Sequence, residues 1–442
     1  MKNTAFLLLF TLQLACGPIL AQTAPAAVMP AKPTAAKAAF SDLEIGMFIH
    51  FDITSREGPR ASGQIPASQF NPTELNCEQW MQAAKALGAK YAVLTARHAA
   101  DFCLWPSKTT EYTLSQSPYK EGKGDIVREF VDACRRNGIK PGLYLGYTQP
   151  LWQSREQRAI QELTEVLTTY GPLYYVWMDF WGTGPDAEAP TSPTARYWKT
   201  VTETAHKLQP DLLIMGAEIE HGGNESGFMG YPMWNPVDTP DGSINMIGTV
   251  FNFGWENTGK PLGKLWRPRE LPCTSCFSAG GWFWRGARDP KPLEDRLETY
   301  YRTVGHGANV IINMPPDNRG VIPENLVAAA GEMRKELERR FSTPVAQREG
   351  SGDTVELDLK EPKTIDHAIL MENIVNGQKI SRYFIEARVN GRWTVVADGL
   401  TVGHKKIDRF RRPVTTDAVR FRCLDSIAKP VELRSFALFD TR

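Results

Sequence analysis

The sequence is short of several things that would have settled its class at once. It has seven cysteines in 442 residues, too few and too scattered for a dense disulfide framework. One pair, Cys273 and Cys276, forms a lone CxxC, open to reading as a local disulfide or as two free thiols. No second CxxC and no HxxxH accompanies it, so no structural zinc or other metal is expected. Charge of one sign is missing too: the net charge is +1, which gives no support for nucleic acid or a polyanion as partner. There is no GxSxG elbow for a nucleophilic serine, no HExxH, and no glycine-rich dinucleotide fingerprint after the first strand. No cofactor is expected. No apolar run, the N-terminal one included, is long enough to span a membrane.

What is present is 42% hydrophobic residues and twelve tryptophans, enough for a large core and two domains. Residues 1–21 carry one Lys near the start, an apolar run from Ala5 to Leu12 and a cleavage-like Ile19-Leu20-Ala21, the pattern of a secretory signal. The expectation is a secreted or periplasmic protein. Leu14-Ala15-Cys16 offers a second reading, an outer-membrane lipoprotein anchored at Cys16. Residues 22–38, rich in Ala, Pro and Thr, read as a flexible linker.

From there strands and helices alternate. Strands are expected at 44–51 (EIGMFIHF), 90–98 (KYAVLTARH), 140–147 (KPGLYLGY), 173–177 (LYYVW) and 211–218 (DLLIMGAE). Helices are expected at 77–88, at 125–137 with Asp125 as cap, at 154–170 with Ser154 and Gln157 as a capping box, and at 194–208. Further on, 280–284 (GGWFW) and 308–314 (ANVIINM) look strand-like, and 293–305 and 323–341 helical. The alternation implies βαβ units and a parallel sheet, and the polar residues at the strand ends favour a TIM-like (β/α)8 barrel over residues 39–343. After Phe341 short alternating runs with turn signals such as Asn390-Gly391 predict an antiparallel β-sandwich over residues 344–442.

The strand ends hold His50, Arg97, His98, Asp101, Tyr144, Tyr147, Trp177, Asp179, Glu218, Glu220 and Glu225. Carboxylates, histidines and aromatics are the set that cleaves a glycoside: one carboxylate attacks or stabilises the anomeric centre, and another, its pKa raised, protonates the leaving oxygen. Tryptophan packs on the apolar sugar face. Trp177, two residues before Asp179, points to the same side of its strand.

The motifs GMFIHFD (46–52), LTARHAADFCLWPSKTTEYT (94–113), GKGDIVREFVDACRRNGIKPGLYL (122–145), VWMDFWG (176–182), GNESG (223–227), WRPRE (266–270), GGWFW (280–284) and NMPPDNRG (313–320) together resemble glycoside hydrolase family 29, the retaining α-L-fucosidases. The resemblance covers nearly the whole mature chain. GNESG and WRPRE lie closer to the subfamily that removes branching α-1,3/1,4-fucose. It implies that Asp179 is the nucleophile and Glu225 the acid/base, with Glu218 and Glu270 as alternates for the acid. It implies that His50, His98, Tyr144, Trp177, Trp282 and Glu270 bind the sugar, with Tyr147 as the alternate for Tyr144. The partner it implies is a fucosylated glycan, and 399–410 (GLTVGHKKIDRF) resembles galactose-binding, discoidin-like modules.

The chain departs from the family where KHHDGF is usual: it has Arg97-His98-Ala99-Ala100-Asp101-Phe102, so the second histidine is Ala99. Glu220-His221 stand before GNESG where Arg-Trp is common. Two alternatives follow, a hydrolase of a related L-sugar glycoside and a carbohydrate-binding protein that has lost turnover.

Overall fold

The structure is a computed structural model that describes residues 29–56, 64–147, 153–180, 193–238 and 258–442. The expected signal, Cys16 and Trp181 lie outside these residues. A parallel sheet of eight strands forms the first domain. Its strands are β1 (Ile45–Ile49), β2 (Tyr91–Arg97), β3 (Lys140–Tyr147), β4 (Tyr175–Phe180), β5 (Leu213–Met215), β6 (Glu220–His221), β9 (Arg269–Cys273) and β10 (Asn309–Asn313), in the order β5-β4-β3-β2-β1-β10-β9-β6. Two short strands, β7 (Pro236–Val237) and β8 (Leu265–Trp266), pair apart from it. A single parallel bridge between Met215 and Ile219 brings the two edges together, so the barrel is nearly closed.

β1 and β2 are buried at every position because the sheet is covered on both faces, and that is why they read as apolar runs. The helices between them start and stop where the sequence supplies caps. The side-chain oxygen of Asn76 accepts from the N–H groups of Glu78 and Gln79 to open Cys77–Leu87, and Gly88 closes it at φ 79°. Asp125 accepts from the Arg128 N–H to open Ile126–Arg136, as predicted. The next helix, Gln153–Thr169, takes Ser154 into its first turn, so Ser154 is not the cap that the sequence suggested.

Other expectations need correction. The linker ends early, because Ala35–Ser41 is a helix: Thr34 caps it, Phe40 is fully buried and the Lys37 ammonium donates to the Trp266 carbonyl. The predicted strand 211–218 shrinks to Leu213–Met215. Gly216 turns the chain at φ 94°, and the Glu218 carboxylate folds back to accept from the Ile214 N–H. β6 follows with no helix between. Residues 280–284 form a loop, and the barrel strand of this region is instead β9.

The second domain is a six-stranded antiparallel sheet, in the order β11-β16-β12-β15-β13-β14. Its strands are β11 (Ala346–Ser351), β12 (Thr354–Glu372), β13 (Ile380–Val389), β14 (Arg392–Gly399), β15 (Lys406–Ser426) and β16 (Glu432–Phe439). β12 and β15 lose register between Asp358 and Lys363 and again between Ile365 and His367, so each long strand serves as successive segments. Residues such as Leu357, Ile385, Phe421 and Phe436 give the sheet its own core. Ile369, Ile407 and Phe439 instead join the core of the barrel. Ion pairs Arg409–Glu298 (2.7 Å) and Arg434–Asp42 (2.8 Å) and the ring contact of Phe341 with Phe439 add to the join.

Candidate active site

The carboxyl ends of the barrel strands converge on one pocket, lined by Phe48, His50, His98, Tyr144, Trp177, Asp179, His221, Glu225, Pro272 and Trp282. Neighbouring parallel strands deliver them in layers. On β4, alternation puts Trp177 and Asp179 on the inner side and Met178, fully buried, on the outer one. On β3 Tyr144 stands beside Trp177, their rings stacked at 5.4 Å and 29°. The Tyr144 hydroxyl donates to Asp179. That reach needs the gap at Gly146, where a Cβ would lie 2.7 Å from the Tyr144 ring.

On the other side His98 stacks on Tyr144 at 5.1 Å and 15°. His50 stacks on Trp282 at 4.4 Å and lies 5.5 Å from His98. Burial and then the nearby His98 hold His50 well below the usual imidazole range, so its ring is neutral. Its Nδ1 meets Asn313 Oδ1 at 2.9 Å, and Asn313 Nδ2 donates to the Trp282 carbonyl at 2.7 Å. The second bond orients the amide, so Oδ1 is the acceptor and His50 Nδ1 carries the proton. Asn313 thus ties β10 to the loop that presents Trp282, a part that sequence reasoning missed although NMPPDNRG contains it.

Glu225 comes from the loop after β6. The Thr274 N–H donates to its carbonyl at 3.2 Å, and Ser226 bridges to Cys273. Cys273 and Cys276 form a disulfide beside it, which decides between the two states that the sequence left open. Burial raises the Glu225 carboxyl above the ordinary carboxylate range; the Asp179 charge raises it further and a hydrogen bond from Trp282 opposes both. One face of the pocket therefore holds a carboxylate with a hydroxyl donor, and the other a carboxyl that keeps its proton longer. That is the division of labour an acid and a nucleophile need.

Not every candidate arrives. Glu270 is fully buried and lines no part of the pocket: it sits one layer deeper, accepting from Tyr91 Oη (2.5 Å), Tyr175 Oη (2.9 Å) and Trp177 Nε1 (3.0 Å). Of these three partners, Trp177 is the one that lines the pocket. Glu218 pairs with His206 at 3.5 Å and lies outside the pocket. Arg97 turns behind the wall to the Gly146 carbonyl, Asp101 and Glu162. Glu220 pairs with Arg267 at 3.0 Å. His221, noted in the sequence only as a departure, lines the pocket. The side chain of Tyr147 lies outside the described residues. Among the described residues no group of three or more His, Cys, Asp or Glu could hold a metal ion.

Residues 58–339 match the family model for alpha-L-fucosidases. The chain belongs to this family, glycoside hydrolase family 29. It is a glycoside hydrolase, an α-L-fucosidase. It is similar to alpha-L-fucosidase 1 of Arabidopsis thaliana, 29% identical over 426 residues, covering 85% of this chain and 81% of that one. Human plasma alpha-L-fucosidase is 27% identical over 284 residues, 57% of this chain and 51% of its own. The crystal structure of a glycoside hydrolase 29 family member from an unknown rumen bacterium superposes with a TM-score of 0.82 at 27% identity, covering 94% of this chain and 78% of that one. The fold expectation is met: a nearly closed parallel barrel followed by an antiparallel sheet domain.

Proposed function

We propose that this fucosidase is a retaining exo-enzyme, releasing α-L-fucose from a fucosylated glycan by double displacement, and that its preferred bonds are α-1,3/1,4 branches. The observation that carries the mechanism is the placing of Asp179 and Glu225 on one pocket, the first bonded by Tyr144 and the second with its pKa raised. Asp179 Oδ attacks the anomeric carbon while Glu225 gives its proton to the departing glycosidic oxygen. The C–O bond to the glycan breaks, and an ester joins fucose to Asp179. Glu225, now ionised, takes a proton from water as the water oxygen attacks the same carbon, and Asp179 leaves with the bonding pair. His50, His98, Tyr144, Trp177 and Trp282 hold the sugar: the rings pack on its apolar face and the histidines meet its hydroxyls. Retention requires the two carboxyl groups to lie ~5–5.5 Å apart.

The branched linkage rests on GNESG and WRPRE. The leader and the Cys273–Cys276 disulfide support export to an oxidising compartment. Proton NMR of the first product formed tests the stereochemistry: α-L-fucose appears first if the anomer is retained, and β-L-fucose first sinks double displacement. Fucose release from a Lewis-type branched oligosaccharide, lost in Asp179→Ala, tests the linkage and the nucleophile together. Cleavage of an aryl α-L-fucoside alone would discard the branched assignment.

A further inference from the structure

His221 is the pocket residue that no sequence pattern explains. It stands on β6, buried, with its ring 6.0 Å from that of Trp177 and set edge to face. The Gly223 N–H donates to its Nδ1 at 3.0 Å. A nitrogen that accepts carries no proton, so the neutral ring holds its hydrogen on Nε2. Burial lowers the His221 pKa to about 4, so the ring is neutral near pH 7. Among the described residues nothing bonds Nε2, and it is not among the buried polar atoms cut off from solvent. The ring lines the pocket. His50 is the reverse case. Its Nδ1 carries the proton, held by Asn313, so its Nε2 is an acceptor.

We propose that His221 is a sugar-binding residue whose Nε2–H donates to one hydroxyl oxygen of the bound sugar, while His50 Nε2 accepts from another. The two neutral rings, locked in opposite tautomers by Gly223 and Asn313, give the pocket a fixed donor and acceptor pattern. This pattern supplies the donor that Ala99 lacks. Selectivity follows from it, because a sugar whose hydroxyl is missing at His221 leaves a buried N–H without an acceptor. The inference rests on the proposed reading that this pocket is the fucose pocket.

The test compares His221→Gln with His221→Asn. A Gln amide reaches the Nε2 position and keeps the donor to the sugar but gives up the acceptor for Gly223. An Asn oxygen keeps the acceptor for Gly223 but gives up the donor. Competitive inhibition of aryl α-L-fucoside hydrolysis by L-fucose and by its monodeoxy analogues is measured for the wild type and both variants, with melting temperatures alongside. In the wild type one deoxy analogue is expected to bind about tenfold more weakly than L-fucose, the worth of one lost hydrogen bond of ~1.4 kcal/mol. His221→Asn should lose that discrimination and His221→Gln should retain most of it. The reverse order, with Asn discriminating and Gln not, would show that the ring only supports its loop and would overturn the inference. So would unchanged discrimination in both variants. A wild-type enzyme that hydrolyses fucosides without inhibition by L-fucose would overturn the pocket reading itself.

Discussion

Glu270 is the group whose replacement tests the core of the barrel most directly. It is fully buried and accepts three hydrogen bonds, from two tyrosines and a tryptophan, none of them a cation. Burial pushes its pKa from the ordinary 4.5 up to about 7 against those three bonds. Between these values the folded chain keeps a proton that the unfolded chain has lost. The carboxyl therefore costs stability progressively as the pH rises from about 4.5 to about 7, by roughly 3 kcal/mol in all. Glu270→Gln removes this cost. Its amide oxygen can take the place that serves Tyr175 and Trp177, and its NH2 can donate to the Tyr91 hydroxyl, which accepts as well as donates. Glu270→Ala removes the acceptor altogether: three buried donors go unmet at about 1 kcal/mol or more each, and a cavity adds to the loss.

Thermal melts of the wild type, Glu270→Gln and Glu270→Ala from pH 5 to pH 8 check this. The glutamine variant should gain on the wild type as the pH rises, by roughly 2–3 °C across the range for a chain of this size. The alanine variant should be the least stable throughout. The comparison is with the wild type because Glu372, in the second domain, is also raised to about 7 by burial and slopes the same way. The gain of Glu270→Gln isolates one carboxyl. A gap between wild type and Glu270→Gln that does not change with pH would refute the reasoning, as would an alanine variant as stable as the parent. Activity should survive in Glu270→Gln, because the Trp177 N–H keeps an acceptor.

Three further outcomes follow from the geometry. Glu225→Gln should lose most turnover of a natural glycan and far less of an activated aryl fucoside, by a difference of ~10²-fold or more. The basic limb of the wild-type pH–rate profile, set by the raised Glu225 carboxyl, should vanish in that variant; an unchanged limb points to another acid. Replacing Cys273 and Cys276 by serine together should lower kcat severalfold with little change in KM, since the Thr274 N–H and the Ser226 bridge hold the Glu225 loop. Steady-state kinetics with unchanged kcat would mean the disulfide does not position it. A chain ended at residue 343 should be insoluble, because Ile369, Ile407 and Phe439 belong to the barrel's own core; a soluble, active fragment on size exclusion would show the second domain to be dispensable.

Parts of this were legible in the sequence for physical reasons. β1 to β4 are buried on both faces, so they stand out as apolar runs between caps, and their last residues bring His50, His98, Tyr144, Trp177 and Asp179 to one end of the sheet. β9 was hidden because its five residues include Arg269 and Glu270, charged side chains that only a satisfied core tolerates. The aromatic GGWFW segment drew the strand assignment instead, though Gly280 at φ 118° marks a loop. Glu270 was put among the sugar ligands on resemblance alone. Its place within the strand carried a signal: it is the second residue of β9, and Pro272, two residues nearer the carboxyl end, is the one that reaches the pocket. Glu218 looked like a strand end because the turn at Gly216 leaves no trace in DLLIMGAE beyond one glycine. His221 was read only as a departure, since a lone histidine before a glycine-rich loop announces nothing until the Gly223 bond fixes its tautomer.

The two halves of the pocket are built differently, and the difference bears on what each can do. Asp179 stands on a strand, bonded by Tyr144, which stacks on Trp177, which is fixed by Glu270 at the centre of the barrel. Every member of that column is set by strand register, so the core dictates where the Asp179 carboxylate stands. Glu225 and Trp282 stand on loops and owe their places to ties: Thr274 to Glu225, Asn313 to Trp282, the disulfide beside them. The segment after the Glu225 loop is also held by the second domain. Tyr231 bonds Thr401, Met233 donates to the Thr401 hydroxyl, and Gln378 spans Met233 and Asn235. Loops accept substitution more readily than barrel strands do. On the proposed reading, variation on this side changes the leaving group that the acid can serve without moving the nucleophile.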